Sequence, residues 1–284
     1  MTYENPFEIV ENYDDDIKNG FFIRKWNESK ICKGYYLNNK MNYWGIFDSD
    51  EINIKGYFSD NILDGYGETY NKEEKITYKW YWEKGLLEGI GQEFNEFFLY
   101  EGYFINSKRN GFGVQIYKNE DEKYEGEWKD DKYEGFGIYY FSNGNKYIGQ
   151  WKNSAKEGFG QLIWANNVKK YMGFFKNDEK NGLGIYLYKK DCISICFWKE
   201  GKKHGLEKSI INKKKLIYKR WEYNKLIEVI NENDFFEILK DEINDNYINI
   251  FNMDFNNIIL FMDVWYRKHN NFFFIFNIIL WFVI

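Results

Sequence analysis

The sequence predicts an all-β protein, an elongated antiparallel sheet of about eight to nine stacked β-hairpin repeats with a helical cap at its C-terminal end. Three observations support this. A short pattern recurs nine times along the 284 residues, one of its positions is always aromatic, and 22 of the 24 glycines fall on only four of its positions. A recurrence every 20 to 50 residues is the signature of a repeat array.

The clearest copy of the repeat runs from Tyr124 to Gly137. Counting Tyr124 as position 1, the copy has glycine at positions 3, 12 and 14, tryptophan at position 5 and aspartate at position 8. The other copies follow at spacings of 22 to 24 residues and begin at Cys32, Ile54, Tyr78, Tyr100, Tyr147, Tyr171, Ser194 and Ile217.

Position 5 is aromatic in all nine copies, although only 22% of the chain is aromatic. Its residues are Tyr36, Phe58, Trp82, Phe104, Trp128, Trp151, Phe175, Trp198 and Trp221. The glycines that define positions 12 and 14 are Gly65, Gly67, Gly89, Gly91, Gly111, Gly113, Gly135, Gly137, Gly158, Gly160, Gly182 and Gly184.

Each repeat is predicted to be one β-hairpin. Positions 1, 3 and 5 alternate, so they share one face of a strand. Position 8 holds only Asn, Asp, Ser or Gly, which suit tight turns, and the link is predicted to span Asp130 to Gly135. The period leaves no room for a crossover helix, so successive hairpins pair antiparallel. At about 4.8 Å between strands, eight hairpins span roughly 75 Å.

The recurrent glycines have a steric interpretation. A glycine weakens a strand interior unless another group packs closely against it. Without a Cβ, the glycine between two aromatic positions leaves a hole on the sheet face, and a neighbouring ring can lie over it. The pattern therefore predicts rings packed over glycines.

The pattern Tyr-x-Gly-x-Trp, followed seven residues later by Gly-x-Gly, resembles the MORN (membrane occupation and recognition nexus) repeat. The resemblance covers about Cys32 to Asn224 and is strongest from Tyr100 to Tyr186. The family often has Gly-Lys at positions 8 and 9, where this chain mostly has Asn, Asp or Ser at position 8. The resemblance implies a single-layer, curved antiparallel sheet that serves as a binding scaffold.

Four segments are predicted. Residues 1–31 form an N-terminal leader that covers the first sheet edge, because an open strand edge invites aggregation. Residues 32–224 form the repeat array. Residues 225–270 form a helical capping segment, with helices expected from about Asn233 and from Tyr247 to about Lys268. Residues 271–284 form an apolar tail, too short for a membrane-spanning helix.

Composition narrows the function classes. The net charge of −5 gives no global attraction to nucleic acid, so no nucleic-acid partner is predicted. Three cysteines form no disulfide framework, and the first residues contain no apolar run typical of a secretory signal. The predicted location is cytoplasmic, with attachment to the cytoskeleton or a membrane.

No catalytic site, metal site or cofactor is predicted, and the chain is not expected to be an enzyme. It has two histidines and no phosphate loop or nucleophile-and-base pattern. Cys192, Cys196 and His204 could supply three zinc ligands, but a fourth is missing and the spacing is not that of a common site. A buried structural thiol at Cys196, which occupies a glycine position, is the favoured alternative.

A basic cluster is the candidate lipid-binding site. The segment Trp198 to Arg220 has a net charge of +7, and its densest part contains Lys202, Lys203, Lys213, Lys214 and Lys215. Such clusters attract anionic lipid head groups. The alternative is that the acidic segment Glu228 to Asp254, with a net charge of −7, neutralises the cluster. Both readings stay open.

The predicted function is a non-enzymatic scaffold that joins a protein partner of unknown identity, or a membrane, to the cytoskeleton. The aromatic face at positions 1 and 5 would bind the partner, unless its rings are used in stacking over the chain's own glycines. The alternative function is a peripheral membrane tether that uses the lysine cluster and the tail. A homodimer is a further expectation. The tail could also close the fold, or be translated noncoding sequence.

Overall fold

The structure, a computed structural model, describes residues 19–25, 30–242, 250–251, 253–264 and 266–267. Within this part of the chain, 19 strands belong to one antiparallel sheet and two helices lie near the C-terminus. The predicted all-β repeat sheet is confirmed. The chain divides into two compact units, residues 1–121 with 128–131, and residues 122–127 with 132–284.

Unit 1 contains the first nine strands, each of which pairs antiparallel with the next along the chain. They are β1 Gly20–Lys25, β2 Ile31–Leu37, β3 Lys40–Asp48, β4 Ile52–Ser59, β5 Ile62–Asn71, β6 Ile76–Glu83, β7 Leu86–Phe94, β8 Phe98–Ile105 and β9 Lys108–Tyr117. Strand β10, Glu122–Lys129, is divided between the two units.

Unit 2 contains the remaining strands, which again pair antiparallel in chain order. They are β11 Lys132–Tyr140, β12 Lys146–Lys152, β13 Ala155–Ile163, β14 Lys170–Lys176, β15 Glu179–Lys189, β16 Cys192–Lys199, β17 Lys202–Ile211, β18 Lys215–Glu222 and β19 Lys225–Ile230. Helix α1 spans Glu232–Glu242, and helix α2 spans residues 255–264.

The turn inside each repeat has two residues. In the clearest copy these are Asp130 and Asp131, with φ of +47° and +66°, the left-handed values that a type I′ hairpin turn requires. Strand β11 begins directly after them at Lys132. The predicted six-residue link ending at Gly135 was therefore wrong, because Gly135 lies inside the second strand.

A bulge displaces that second strand. In the copy starting at Tyr147, Gly149 pairs with Gly160 and Trp151 pairs with Lys156, so three residues around Gly158 lie opposite Gln150 alone. Extra residues of this kind bend a strand locally. Gln150 compensates with its side chain, whose Oε1 accepts the Phe159 N–H at 2.7 Å.

The register defines two faces of each unit. Residues directly opposite each other in antiparallel strands share a face. Positions 1, 3, 5, 10, 14 and 16 lie on one face, called here the ring face. Positions 2, 4, 13 and 15 lie on the other, called the opposite face.

The first helix, predicted from about Asn233, is confirmed as α1, which begins at Glu232. The boundary of the capping segment at residue 225 was wrong, because Lys225–Ile230 still pairs with β18. Asn231 caps α1, since its side-chain oxygen accepts the Asp234 N–H at 3.0 Å. The two helices pack on the opposite face of unit 2. Phe235 and Leu239 of α1 are fully buried there in one apolar cluster with sheet residues.

Three predicted segments lie partly or wholly outside the described residues. In the capping segment, residues 243–249, 252, 265 and 268–270 are outside the described part, so the second predicted helix, Tyr247 to about Lys268, is described only in part. Of the leader, only residues 19–25 and 30–31 are described, and β1 pairs with β2 at the edge of unit 1. The apolar tail 271–284 falls outside the described part. The described helices include none with the length and apolarity needed to cross a membrane.

Candidate functional site

The tyrosines at position 1 form the centre of the ring face. Four of them are fully buried, and each donates its hydroxyl to the backbone carbonyl at position 4 of its own repeat. Burial raises the pKa of these phenols at Tyr100, Tyr147 and Tyr171. They therefore stay protonated and act as hydrogen-bond donors. The four residues are Tyr100, Tyr124, Tyr147 and Tyr171.

Each of these rings packs edge-to-face against position 5 rings. The Tyr147 ring centroid lies 5.2 Å from that of Trp151 in the same repeat and 5.1 Å from that of Phe175 in the next. In unit 1, Tyr100 lies 5.2 Å from Phe104 and 5.0 Å from Trp128. Such T-shaped pairs add to the gain from burial alone.

Glycines at positions 3 and 14 make room for the tyrosine ring. A Cβ built on Gly137 would lie 2.6 Å from Cε2 and Cζ of Tyr124, and Gly160 bears the same relation to Tyr147. The predicted packing of rings over glycines is confirmed at these positions. Gly135, at position 12, has another reason. Its φ is +61°, and the atoms near it belong to the end of the Glu127 side chain.

A cation caps the ring stack at position 10 of several copies. The Arg109 guanidinium lies 4.7 Å from the Trp128 ring and donates to Asp131 at 3.1 Å. Lys180 Nζ lies 4.6 Å from the Tyr171 ring and 4.4 Å from the Trp198 ring. Burial, with a contribution from Lys203, lowers the pKa of Lys180 to about 8.

The ring face therefore uses its aromatic residues for intramolecular packing. Eight of the nine position 5 residues are buried, and Trp221 is half-buried. The stacking alternative describes this face better than the partner-binding prediction. In the copies at Cys32 and Ile54, whose position 1 residues are smaller than tyrosine, cavities lie beside the buried position 5 rings.

The opposite face of unit 1 carries the exposed aromatic rings, which the sequence argument missed. Positions 4 and 13 pair across neighbouring repeats, as Trp44 does with Tyr57 and Tyr66 with Tyr81. Six such side chains are 42 to 51% exposed, namely Tyr35, Trp44, Tyr57, Tyr66, Tyr81 and Tyr103. Position 4 is aromatic in six of the nine copies, and this pattern could have predicted the exposed rings from the sequence. We call these six residues the aromatic ladder.

In unit 2 part of the equivalent surface is covered, although Phe174 at position 4 is still 37% exposed. Phe197, at position 4, stacks on Phe251 with ring centroids 5.8 Å apart. Tyr218, at position 2, packs against Phe235 of α1 at 4.7 Å. The chain's own helical segment thus occupies part of the face of unit 2 that corresponds to the aromatic ladder of unit 1.

The copy beginning at Ser194 replaces the tyrosine and its glycine with a buried carboxylate. Glu207 stands at position 14 and accepts hydrogen bonds from Ser194 at 2.5 Å and Ser209 at 2.7 Å. It also accepts one from Trp221 Nε1 and pairs with Lys203 Nζ at 2.9 Å. Although burial raises its pKa, Lys203 and these hydrogen bonds outweigh that effect and hold the pKa below its usual value.

A family comparison identifies the repeat. The sequence model described as MORN repeat matches residues 100–122, 124–146, 147–169, 171–193 and 197–206. Four of these matches coincide with the copies that begin at Tyr100, Tyr124, Tyr147 and Tyr171, whose tyrosines fill the ring face. The chain is a MORN-repeat protein.

The solved structures that match this MORN-repeat protein include the TCP domain of SAS-4 (dCPAP) from Drosophila melanogaster, in complex with a proline-rich motif of Ana2 (dSTIL). The two chains are 13% identical, and the TM-score is 0.35. The match covers 55% of this chain and 83% of that chain. A TM-score this low supports no conclusion about fold or function. No curated protein matches the chain.

The lysine cluster of the MORN array is split in space. Lys202 and Lys203 begin β17, whereas Lys213, Lys214 and Lys215 lie past its other end. Strand β17 has ten residues, so the two groups are roughly 30 Å apart. Lys203 pairs with Glu207 and Lys213 with Asp191 at 3.2 Å, so their partners come from the array and not from the acidic segment.

Cys196 and His204 lie on different faces of the sheet. Cys196, at position 3, is buried on the ring face, where burial raises its pKa. Strand alternation places His204 on the opposite face, so the two cannot share a metal ion. Among the residues that the structure describes, no group of three His, Cys, Asp or Glu side chains could hold a metal.

Proposed function

We propose that this MORN array is a scaffold that binds a helical segment of a protein partner on the aromatic ladder of unit 1. The single observation that carries the proposal is the contrast between units. Helices of the chain itself cover part of the corresponding face of unit 2, whereas the face of unit 1 leaves six aromatic rings about half exposed. Contiguous exposed apolar surface marks interaction sites.

The packing in unit 2 indicates the chemistry of the partner. Phe235, Leu239 and Phe251 supply the apolar contacts to the sheet there. A partner helix with aromatic and aliphatic residues along one face would make the same contacts with the ladder. Tyrosine and tryptophan are the residues most often found at the energetic centre of protein interfaces.

Trp80 adds support because it occupies a position 3 that is glycine in most copies. Its φ is +135°, a strained value for a bulky residue. Although position 3 residues otherwise belong to the ring face, the Trp80 ring centroid lies 5.7 Å from that of Tyr66, a residue of the ladder. Strain retained at one position is a reason to suspect function there. The ring widens the apolar surface beside Tyr66.

The test is the double variant Tyr57→Ser/Tyr81→Ser. We expect it to fold normally and to weaken partner binding at least about tenfold, because exposed tyrosines cost little stability but dominate interfaces. Proximity labelling in the native cell identifies the partner, and titration of that purified partner measures the Kd.

The matched control is Ile62→Ser/Leu86→Ser, which removes two side chains of similar exposure at the first residues of β5 and β7 in the same unit. The control should retain full binding. Equal losses in the two variants contradict the proposal. If analytical ultracentrifugation shows that the wild type dimerises and that the ladder variant does not, the occupant is a second copy and not a partner.

A second candidate function is attachment to an anionic membrane by Lys213, Lys214 and Lys215. The observation that favours it is that three consecutive lysines at one turn are all exposed. We expect Lys213→Gln/Lys214→Gln/Lys215→Gln to lower binding to phosphatidylserine vesicles at low salt, at about 1 kcal/mol per lysine. Lys202→Gln, at the distant end of β17, should change nothing. Equal effects of the two variants, or no binding by the wild type, exclude this turn as the anchor.

A further inference from the structure

The ring face of unit 1 has two neighbouring cavities that share Ile54 as a wall. One is also lined by Cys32, Tyr36 and Met41, and the other by Leu63 and Trp82. Each has a volume of about 400 Å³. The second cavity is also bordered by Tyr78 of the next copy. Ile54, the wall that the two cavities share, stands at position 1, where the later copies have a tyrosine, so the side chain between the cavities is smaller than the ring found there.

The copy at Tyr124 contains four aromatic rings at positions where the copy at Ile54 has smaller side chains. There, Tyr124 stacks on Tyr133 with centroids 3.7 Å apart, and Tyr139 lies 4.7 Å from Phe141. These rings stand at positions 1, 10, 16 and 18. In the copy with the cavity, the same four positions hold smaller residues, which are Ile54, Leu63, Thr69 and Asn71.

We propose that these two cavities receive two aromatic side chains of a partner protein, in place of the tyrosines that the later repeats supply for themselves. The walls are already of the right kind, because the position 5 residues Tyr36 and Trp82 line the cavities, and position 5 rings also surround the tyrosine of a later copy. The proposal concerns the ring face and does not depend on what binds the aromatic ladder.

The spacing of the cavities defines the partner segment further. They are one repeat apart, and two strand spacings amount to about 10 Å. An α-helix places residues seven apart at about 10.5 Å on nearly the same side. Alternate residues of an extended strand lie about 7 or 13 Å apart and fit less well. The partner segment is therefore a helix with aromatic residues at i and i+7.

The test uses the full chain and a fluorescent alanine-rich helical peptide with two tyrosines seven residues apart. A control peptide of the same composition has them five apart, on different sides of the helix. Fluorescence anisotropy should show saturable binding of the first peptide, at least about tenfold tighter than the second, because each buried ring contributes to affinity.

Two variants fill the cavities from within. Ile54→Tyr/Leu63→Lys copies the pair Tyr147 and Lys156 of a later repeat, and Thr69→Tyr copies Tyr139. Both should weaken peptide binding at least about tenfold while keeping the wild-type unfolding transition. Lys55→Tyr, which adds a ring on the opposite face, should have no effect.

Three results would overturn the proposal. The first is equal binding of the two peptides. The second is undiminished binding by both filled variants when they are folded. The third is binding of laurate, used as an acyl-chain probe, that the same variants abolish while the peptide does not bind. Because none of the filled positions lies in the aromatic ladder, failure here leaves the proposed function of the ladder untouched.

Discussion

Gly137→Val is expected to lower the free energy of unfolding of the surrounding repeats by about 3 kcal/mol, near the upper end of overpacking costs. A Cβ at this site would lie 2.6 Å from two ring carbons of Tyr124, and that ring is fully buried and stacked on Tyr133. The ring cannot yield without breaking its hydrogen bond to the Glu127 carbonyl at 2.8 Å.

Gly89→Ala is the matched control. Gly89 has a φ of +74° but no atom within 4 Å of a built Cβ, so an alanine there should cost only its conformational strain, about 1 kcal/mol. Urea unfolding followed by tryptophan fluorescence measures both variants. Equal costs would contradict the packing explanation, because Gly137, unlike Gly89, does not have a left-handed φ.

Glu207→Ala is expected to cost about 3 to 5 kcal/mol, the range found when one partner of a buried ion pair is removed. The Glu207 side chain is only 2% exposed, and its loss leaves Ser194, Ser209 and the Trp221 N–H without their acceptor. Thermal unfolding of the full chain, followed in the near-ultraviolet circular dichroism of its tryptophans, measures the loss.

Restoring the repeat pattern should rescue this copy. In Ser194→Tyr/Cys196→Gly/Glu207→Gly, a tyrosine ring over two glycines replaces the polar network, as at Tyr147. We expect this triple variant to recover most of the lost stability. If it is no more stable than Glu207→Ala, the carboxylate does not stand in for the ring.

The contribution of Glu207 should also depend on pH. Its pKa is lower in the folded state than the usual value of 4.5, so unfolding binds a proton. The stabilisation is complete above the unfolded pKa and is lost as the pH falls through the lower folded value. The stability difference between wild type and Glu207→Ala should therefore be constant near pH 7 and shrink below about pH 4.

The regular features of the array could be predicted from the sequence, because they depend on residues within one repeat. The period, the strand faces, the turn at position 8 and the glycines under Tyr124 and Tyr147 all follow from side-chain size and backbone preference. The bulge at Gly158 could not be predicted, because it depends on how Gln150 pairs with the neighbouring strand. The two-residue turn at Asp130 and Asp131 was predicted as a longer link, because the bulge places Gly135 inside the second strand.

The sequence by itself determined that the chain is a hairpin repeat array with rings packed over glycines, since a tyrosine two residues before a glycine has only a few local arrangements. Only the tertiary structure decided which aromatic rings of the opposite face are exposed to solvent and which are covered by another part of the chain. Tyr57 and Phe197 hold the same repeat position, yet Phe197 stacks on Phe251 and Tyr57 is about half exposed. The burial of a side chain depends on whether a segment distant in sequence packs over it, and the residues next to that side chain in the sequence do not determine this.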